Sequence, residues 1–378
     1  MTGFSSGTLD DVFGGFLVYR NLIPVDDRLP TIGDLRSKLG MARDRLPRKA
    51  EPEYASVIGE ILREARRLSG TASDASRLVF VGDTMHNDVS AFSNLCQAMG
   101  WQGRAFIADE GPSACRETRA LAAGQNLTVS NQWSDVASFV EDGLLDGFGC
   151  DEGTMIVVDI DKTLLGARGR NDQVIDRARR QAAYEVARDH ADESLAAEDA
   201  FARIYNVVNG SAFHPLTGDN QDAVAYVSLL VAGGMIDLEE LTASVANGQI
   251  DGFRAFVNDL ETRRSQLTDA LAQLQQSVYV QVKAGNPTPF SSFRQAEYRC
   301  TTGLMGHLSN DASRETMLDE EIVITEEVWM AIKRWKAQGC VIFGLSDKPD
   351  EACFPPDTRV EGGLPIHLAR THIIGGRR

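Results

Sequence analysis

Three short apolar runs, each ending in polar residues, constrain this chain most: "RLVFVGD" (Arg77–Asp83), "MIVVDID" (Met155–Asp161) and "CVIFGLSD" (Cys340–Asp347). Runs this short, rich in β-branched residues and lacking polar alternation, fit strands covered on both faces, as in a parallel sheet. Weaker strand candidates are Gly103–Ala108, Leu127–Ser130 and Ala369–Ile374. Helical patterns lie between the runs. Pro52–Gly70 sets Ala55, Ile58, Ile61, Leu62 and Ala65 on one stripe and closes at a glycine. Ile324–Gly339 starts at a threonine that reads as a cap, with Glu327 close behind. Strands alternating with helices predict a doubly wound α/β domain.

The texture changes between Asp172 and Asp319, where helical periods dominate and strand signals almost vanish. At 378 residues the chain is long enough for two cores. The expectation is a large all-helical insertion over 172–319, with the α/β core split into 1–171 and 320–378. Glu141–Thr154, rich in Gly and Asp, reads as a linker.

Net charge is −16, which argues against a nucleic-acid or anionic-membrane partner, since no basic stripe offers counterion release. A small phosphorylated molecule stays open, because a bound divalent cation reverses the local sign. Six cysteines without any C-x-x-C pair speak against a zinc site or a disulfide framework. The opening residues lack a basic and an apolar region, and no apolar run is long enough to span a bilayer. A cytoplasmic protein is expected.

Ligands of doubly wound sheets bind beyond the carboxyl ends of the strands. There the first run offers Asp83 and then Asp88, the second Asp159, Asp161 and Thr163, and the third Ser346. If the three strands are neighbours, carboxylates converge, and repulsion requires either a proton or a cation among them. Oxygen-only ligands suggest Mg²⁺.

These segments resemble the motifs of the haloacid dehalogenase-like (HAD) superfamily of hydrolases. "VVDIDKTL" is similar to its D-x-D-x-T nucleophile motif and "VIFGLSDKP" to its second motif. "RKAEPEYASVIGEILREARRLSG" is similar to the third, a lysine shortly before a helix, and "LVFVGDTMHNDVSAF" to the fourth, G-D-x-x-x-x-D. Here the order is third, fourth, first, second. A circular permutation, with the old termini joined through the linker, accounts for this. So do two incomplete domains that complete each other between chains.

The resemblance implies a Rossmann-like HAD core with a helical cap, and a role for each matching residue. Asp159 would be the nucleophile and Asp161 the general acid and base. Mg²⁺ would be held by the Asp159 carboxylate, the Asp161 carbonyl and Asp83, with Asp88 in support. Ser346 would bind a phosphoryl oxygen, Lys49 would neutralise charge, and Thr163 would secure the turn. The implied activity is a Mg²⁺-dependent phosphatase acting on a small phosphorylated metabolite through an aspartyl-phosphate. A phosphotransferase or mutase uses the same residues, and a non-catalytic scaffold that binds a partner protein through its helical block is the alternative from another class. Arg168 and Arg170 would meet a substrate anion or stay solvated. Residues of Pro287–Arg299 are candidates for cap contacts, and His214, His307, His367 and His372 read as structural.

Overall fold

Every residue of the strand Thr154–Asp159 is buried, as a run with no polar face requires. The computed structural model describes residues 4–42, 45–71, 74–111, 114–141, 148–191, 195–356 and 363–376. Its strands are β1 (Ser6–Gly7), β2 (Leu17–Val18), β3 (Arg77–Gly82), β4 (Gln102–Ala108), β5 (Arg116–Ala122), β6 (Gln125–Ser130), β7 (Thr154–Asp159), β8 (Ile324–Thr325), β9 (Val341–Leu345) and β10 (Thr371–Ile374).

Seven of them form one sheet in the order β2-β9-β7-β3-β4-β6-β5, parallel except where β5 and β6 pair as a hairpin. The fold is therefore the expected α/β class. The three strong runs are immediate neighbours, with β7 between β3 and β9. With the antiparallel β5 set aside, numbering the six parallel strands of this sheet from β7 onward, through the C-terminus and on from the N-terminus, turns β2-β9-β7-β3-β4-β6 into the order 3-2-1-4-5-6 of dinucleotide-binding doubly wound sheets. The reversal of direction, where such sheets open a crevice, falls between β7 and β3.

Successive side chains of a strand point to opposite faces, and both faces are covered here. Leu78, Phe80, Ile107, Met155, Val157 and Phe343 share one core cluster with Ile58, Ile61, Leu62, Phe92 and Leu95 of the helices Pro52–Leu68 and Asn87–Met99. On the other face Phe106 meets Trp133 and Phe139, and Phe139 meets Trp335 of the helix Glu326–Ala337. A Cβ at Gly103 would lie 2.4 Å from the Phe92 ring, so the absent side chain lets that helix approach the sheet.

A second sheet orders β1-β10-β8. Ser6 and Gly7 pair antiparallel with His372 and Thr371, which brings the two ends of the described chain side by side. Ala369–Ile374 thus supplies a strand, but to this small sheet. Thr325 occupies the N-cap position of the helix Glu326–Ala337 without capping it. Its hydroxyl instead donates to the Thr163 carbonyl at 2.7 Å, tying the helix start to the turn after β7.

The chain divides into two units: Met1–Ile175 with Gly303–Cys353 and Leu364–Arg378, and Asp176–Thr302 with Phe354–Gly363. Both sheets belong to the first. Residues 142–147, inside the expected linker, lie outside the described residues. The second unit is helical, and its helix Gln221–Ala232 is buried from Asp222 to its end. There Arg294 is paired with Asp222 at 2.5 Å and with Glu297 at 2.6 Å. Arg294 and Glu297, with Phe290 and Phe293, are buried, so most of the expected substrate-contact segment Pro287–Arg299 serves packing instead. Its large apolar residues fill a core, and Arg294 meets internal carboxylates, while Arg299 is exposed.

Candidate metal centre

β7 ends on Asp159, which pairs in register with Leu345 at the end of β9. β3 ends on Gly82, one residue before Asp83. The side chains of Asp83, Asp88 and Asp159 converge so closely that one carboxylate oxygen of each lies within 4.8 Å of the others, and all three residues are buried. This is a cluster that could hold a metal ion.

The G-D-x-x-x-x-D spacing has a local explanation. Asp88 Oδ2 accepts from the Asp83 amide at 3.1 Å, the Thr84 amide at 2.8 Å and the Thr84 hydroxyl at 2.7 Å. The carboxylate folds back over the strand end to do this, and a Cβ on Gly82 would sit 2.6 Å from its Cγ. Glycine is therefore required where the Asp88 side chain returns. Asp88 builds the turn that presents Asp83.

Lys49 lies in the turn before the helix Pro52–Leu68 and is 2% exposed. Its Nζ stands 2.5 Å from Asp159 Oδ1 and 2.6 Å from Asp88 Oδ1. Burial works against its charge, but Asp159 and Asp88 outweigh it and hold the pKa well above the usual lysine value. For Asp88 burial raises the pKa, yet Lys49 and the Thr84 hydrogen bonds bring it below the ordinary range. Asp159 goes the other way. Burial, then Asp88 and Asp83, raise its pKa well above normal despite Lys49. Asp83 is pushed up to about 7, first by burial and then by Asp88, against the pull of Arg168 and Lys49.

Asp159 Oδ2 is buried and has no hydrogen-bond partner among the described residues. An orphaned carboxylate oxygen beside two further carboxylates, all oxygen donors, fits a hard divalent cation. The donors present therefore suit the ion that the sequence suggested, without fixing its identity.

Ser346 follows β9 directly and is 1% exposed. Its amide donates to the Val18 carbonyl at 3.0 Å, and its Oγ accepts from the Lys348 amide at 3.1 Å. It thus stands at the same sheet edge, one strand over from Asp159. Asp161 lies in the turn beyond β7, outside the side-chain triad. Lys162 beside it has φ +64°, a left-handed conformation uncommon for a residue with a Cβ. Thr163 Oγ1 is buried without a partner among the described residues, so the turn is secured through the Thr163 backbone and not through its hydroxyl.

Sequence reasoning missed two contacts. One is the shared grip of Lys49 on Asp88 as well as Asp159. The other is Arg168, whose Nη2 lies 2.6 Å from Asp83 Oδ2. Arg170 instead forms an internal pair with Glu327 at 2.9 Å. His86 is exposed at the start of the helix Asn87–Met99.

The fold and site together define an α/β protein with a buried acidic cluster of metal-binding character. Comparison of the chain with protein-family models, with curated proteins and with solved structures finds no match. No helix among the described residues is long and apolar enough to cross a membrane.

Proposed function

We propose that this chain is a divalent-cation-dependent phosphohydrolase of HAD type, circularly permuted, that uses Asp159 as its nucleophile on a small phosphate ester. One observation carries the reading. A buried aspartate with one oxygen neutralised by Lys49 at 2.5 Å and the other unpartnered stands among two further carboxylates, where doubly wound sheets bind ligands.

Mg²⁺ is the ion we assign to the cluster, held by Asp159, Asp83 and the Asp161 carbonyl, with Asp88 in support. When bound, it would let an anionic phosphoryl group approach an anionic carboxylate and would screen the charge that develops. Lys49 orients Asp159 and favours its charged form against the opposing pull of burial. The Asp159 carboxylate attacks phosphorus as the bond to the ester oxygen breaks, and Asp161 gives that oxygen its proton. The Asp161 carboxylate then takes a proton from water, whose oxygen attacks phosphorus and releases Asp159 and inorganic phosphate. Ser346 would hydrogen-bond a non-bridging phosphoryl oxygen. The helical stretch Asp176–Thr302, inserted in the chain between β7 and β8, is assigned to substrate selection on that place alone.

The test is turnover of a generic aryl phosphate with and without Mg²⁺, in the native chain and in Asp159→Asn. The expected result is Mg²⁺-dependent hydrolysis that the substitution lowers by about a thousandfold or more, on the scale of removing a covalent nucleophile. Equal turnover in both proteins would remove Asp159 from the chemistry.

A further inference from the structure

Arg168 belongs to none of the four motifs, yet it holds one of the three clustered carboxylates. Its Nε lies 2.7 Å and its Nη2 2.6 Å from Asp83 Oδ2, and its Nη1 lies 2.5 Å from Glu110 Oε1. Its backbone is fixed from two directions. The Arg168 amide donates to the Lys162 carbonyl at 2.8 Å, and the Trp133 indole N–H donates to the Arg168 carbonyl at 3.1 Å. The peptide that carries the guanidinium is thus anchored, while among the described residues the charged end is held by carboxylates alone.

A divalent cation on Asp83 would place a second positive charge within a few ångströms of that guanidinium, in a setting where Asp83 is 8% exposed. Buried like charges so close repel strongly, so both cannot keep Asp83 at full strength. Glu110, about half exposed, gives the side chain a partner toward solvent. We propose that Arg168 is the resident counter-ion of Asp83, that a divalent cation displaces it, and that the released guanidinium then binds the anionic phosphate. The planar fork suits that second task, since guanidinium pairs with phosphate oxygens through parallel N–H bonds. This rests on the phosphohydrolase reading and deepens it. Cation and phosphate would bind cooperatively through one side chain, and the coupling is reciprocal.

The experiment is calorimetric titration of the full chain with Mg²⁺ alone, then of the Mg²⁺-saturated protein with inorganic phosphate. The native chain is compared with Arg168→Gln and with Asp83→Asn. Arg168→Gln is expected to bind Mg²⁺ at least tenfold more tightly and phosphate at least tenfold more weakly than the native chain. Arg168→Lys keeps the charge without the fork and should shift both in the same directions by less; it decides the matter alone if the glutamine variant does not fold. Mg²⁺ affinity that is unchanged or weaker in the variants overturns the role of Arg168. In that case binding to the native chain, lost in Asp83→Asn, leaves the metal reading standing. No Mg²⁺ binding by any of the proteins overturns both.

Discussion

At the scale of single residues, Lys49 sets the electrostatics. It lies 110 positions from Asp159 in sequence, and only its resemblance to a motif lysine marked it beforehand. Its simultaneous contact with Asp88 was illegible, because spacing within a chain says nothing about which distant carboxylates share one ammonium. Arg168 was weighed only as a substrate contact or a solvated residue, since its partner Asp83 is 85 positions away. Removing one member of a buried ion pair leaves an uncompensated charge. Lys49→Met should therefore cost about 3–5 kcal/mol of stability in urea unfolding without metal. The loss should shrink when saturating Mg²⁺ replaces the missing charge. An unfolding midpoint that does not move would show that Lys49 does not balance the cluster.

At the scale of elements, the strands buried on both faces stood out in the sequence, β4, β6 and β10 showed more weakly, and β1, β2, β5 and β8 were hidden. β3, β7 and β9 carry unbroken apolar runs. β5 (Arg116–Ala122) is almost wholly exposed and has no apolar face to betray it. β1, β2 and β8, at two residues each, are too short for any period. The small sheet is tied down by Glu321, whose Oε1 accepts from His372 Nδ1 at 2.7 Å and from the Thr371 hydroxyl at 2.8 Å. Burial opposes the charge of Glu321, but the hydrogen bonds from His372, Leu308 and Thr371 hold its pKa below the usual 4.5. A depressed carboxylate contributes stability that is present above its unfolded pKa and lost as pH falls through the folded one. Unfolding free energy should thus decline as pH drops below about 4.5. Glu321→Gln should flatten that part of the profile, and an unchanged acid slope in the variant would exclude Glu321 as its source.

At the scale of the whole molecule, the feature hardest to read from the sequence was which strands are neighbours, and the α/β class itself was plain. Motif order alone left open whether one chain completes the site, and in the structure a single chain brings Lys49, Asp83, Asp88 and Asp159 together. The change to helical texture near Asp172 was visible, because helices and buried strands differ in period. Where each unit ends was not, since helical segments occur in both. Permutation makes a prediction at this scale. With Ser6 paired to His372, a short Gly-Ser bridge should join the present ends, and the chain can be reopened within 142–147. That rearranged protein should fold with an unfolding midpoint close to the native one and keep its Mg²⁺ affinity, since chain ends that lie close together permit such exchange. Failure to fold would argue that the present order of segments is essential to the fold.

The most direct test of the central claim is rapid acid quenching during turnover of a phosphate ester, followed by mass spectrometry of the peptide spanning Met155–Gly166. The account predicts a phosphoryl adduct on Asp159 that appears within the first turnover, decays as substrate runs out, and is absent from Asp159→Asn. Steady hydrolysis with no phosphorylated peptide, or with the adduct on another residue, would contradict it.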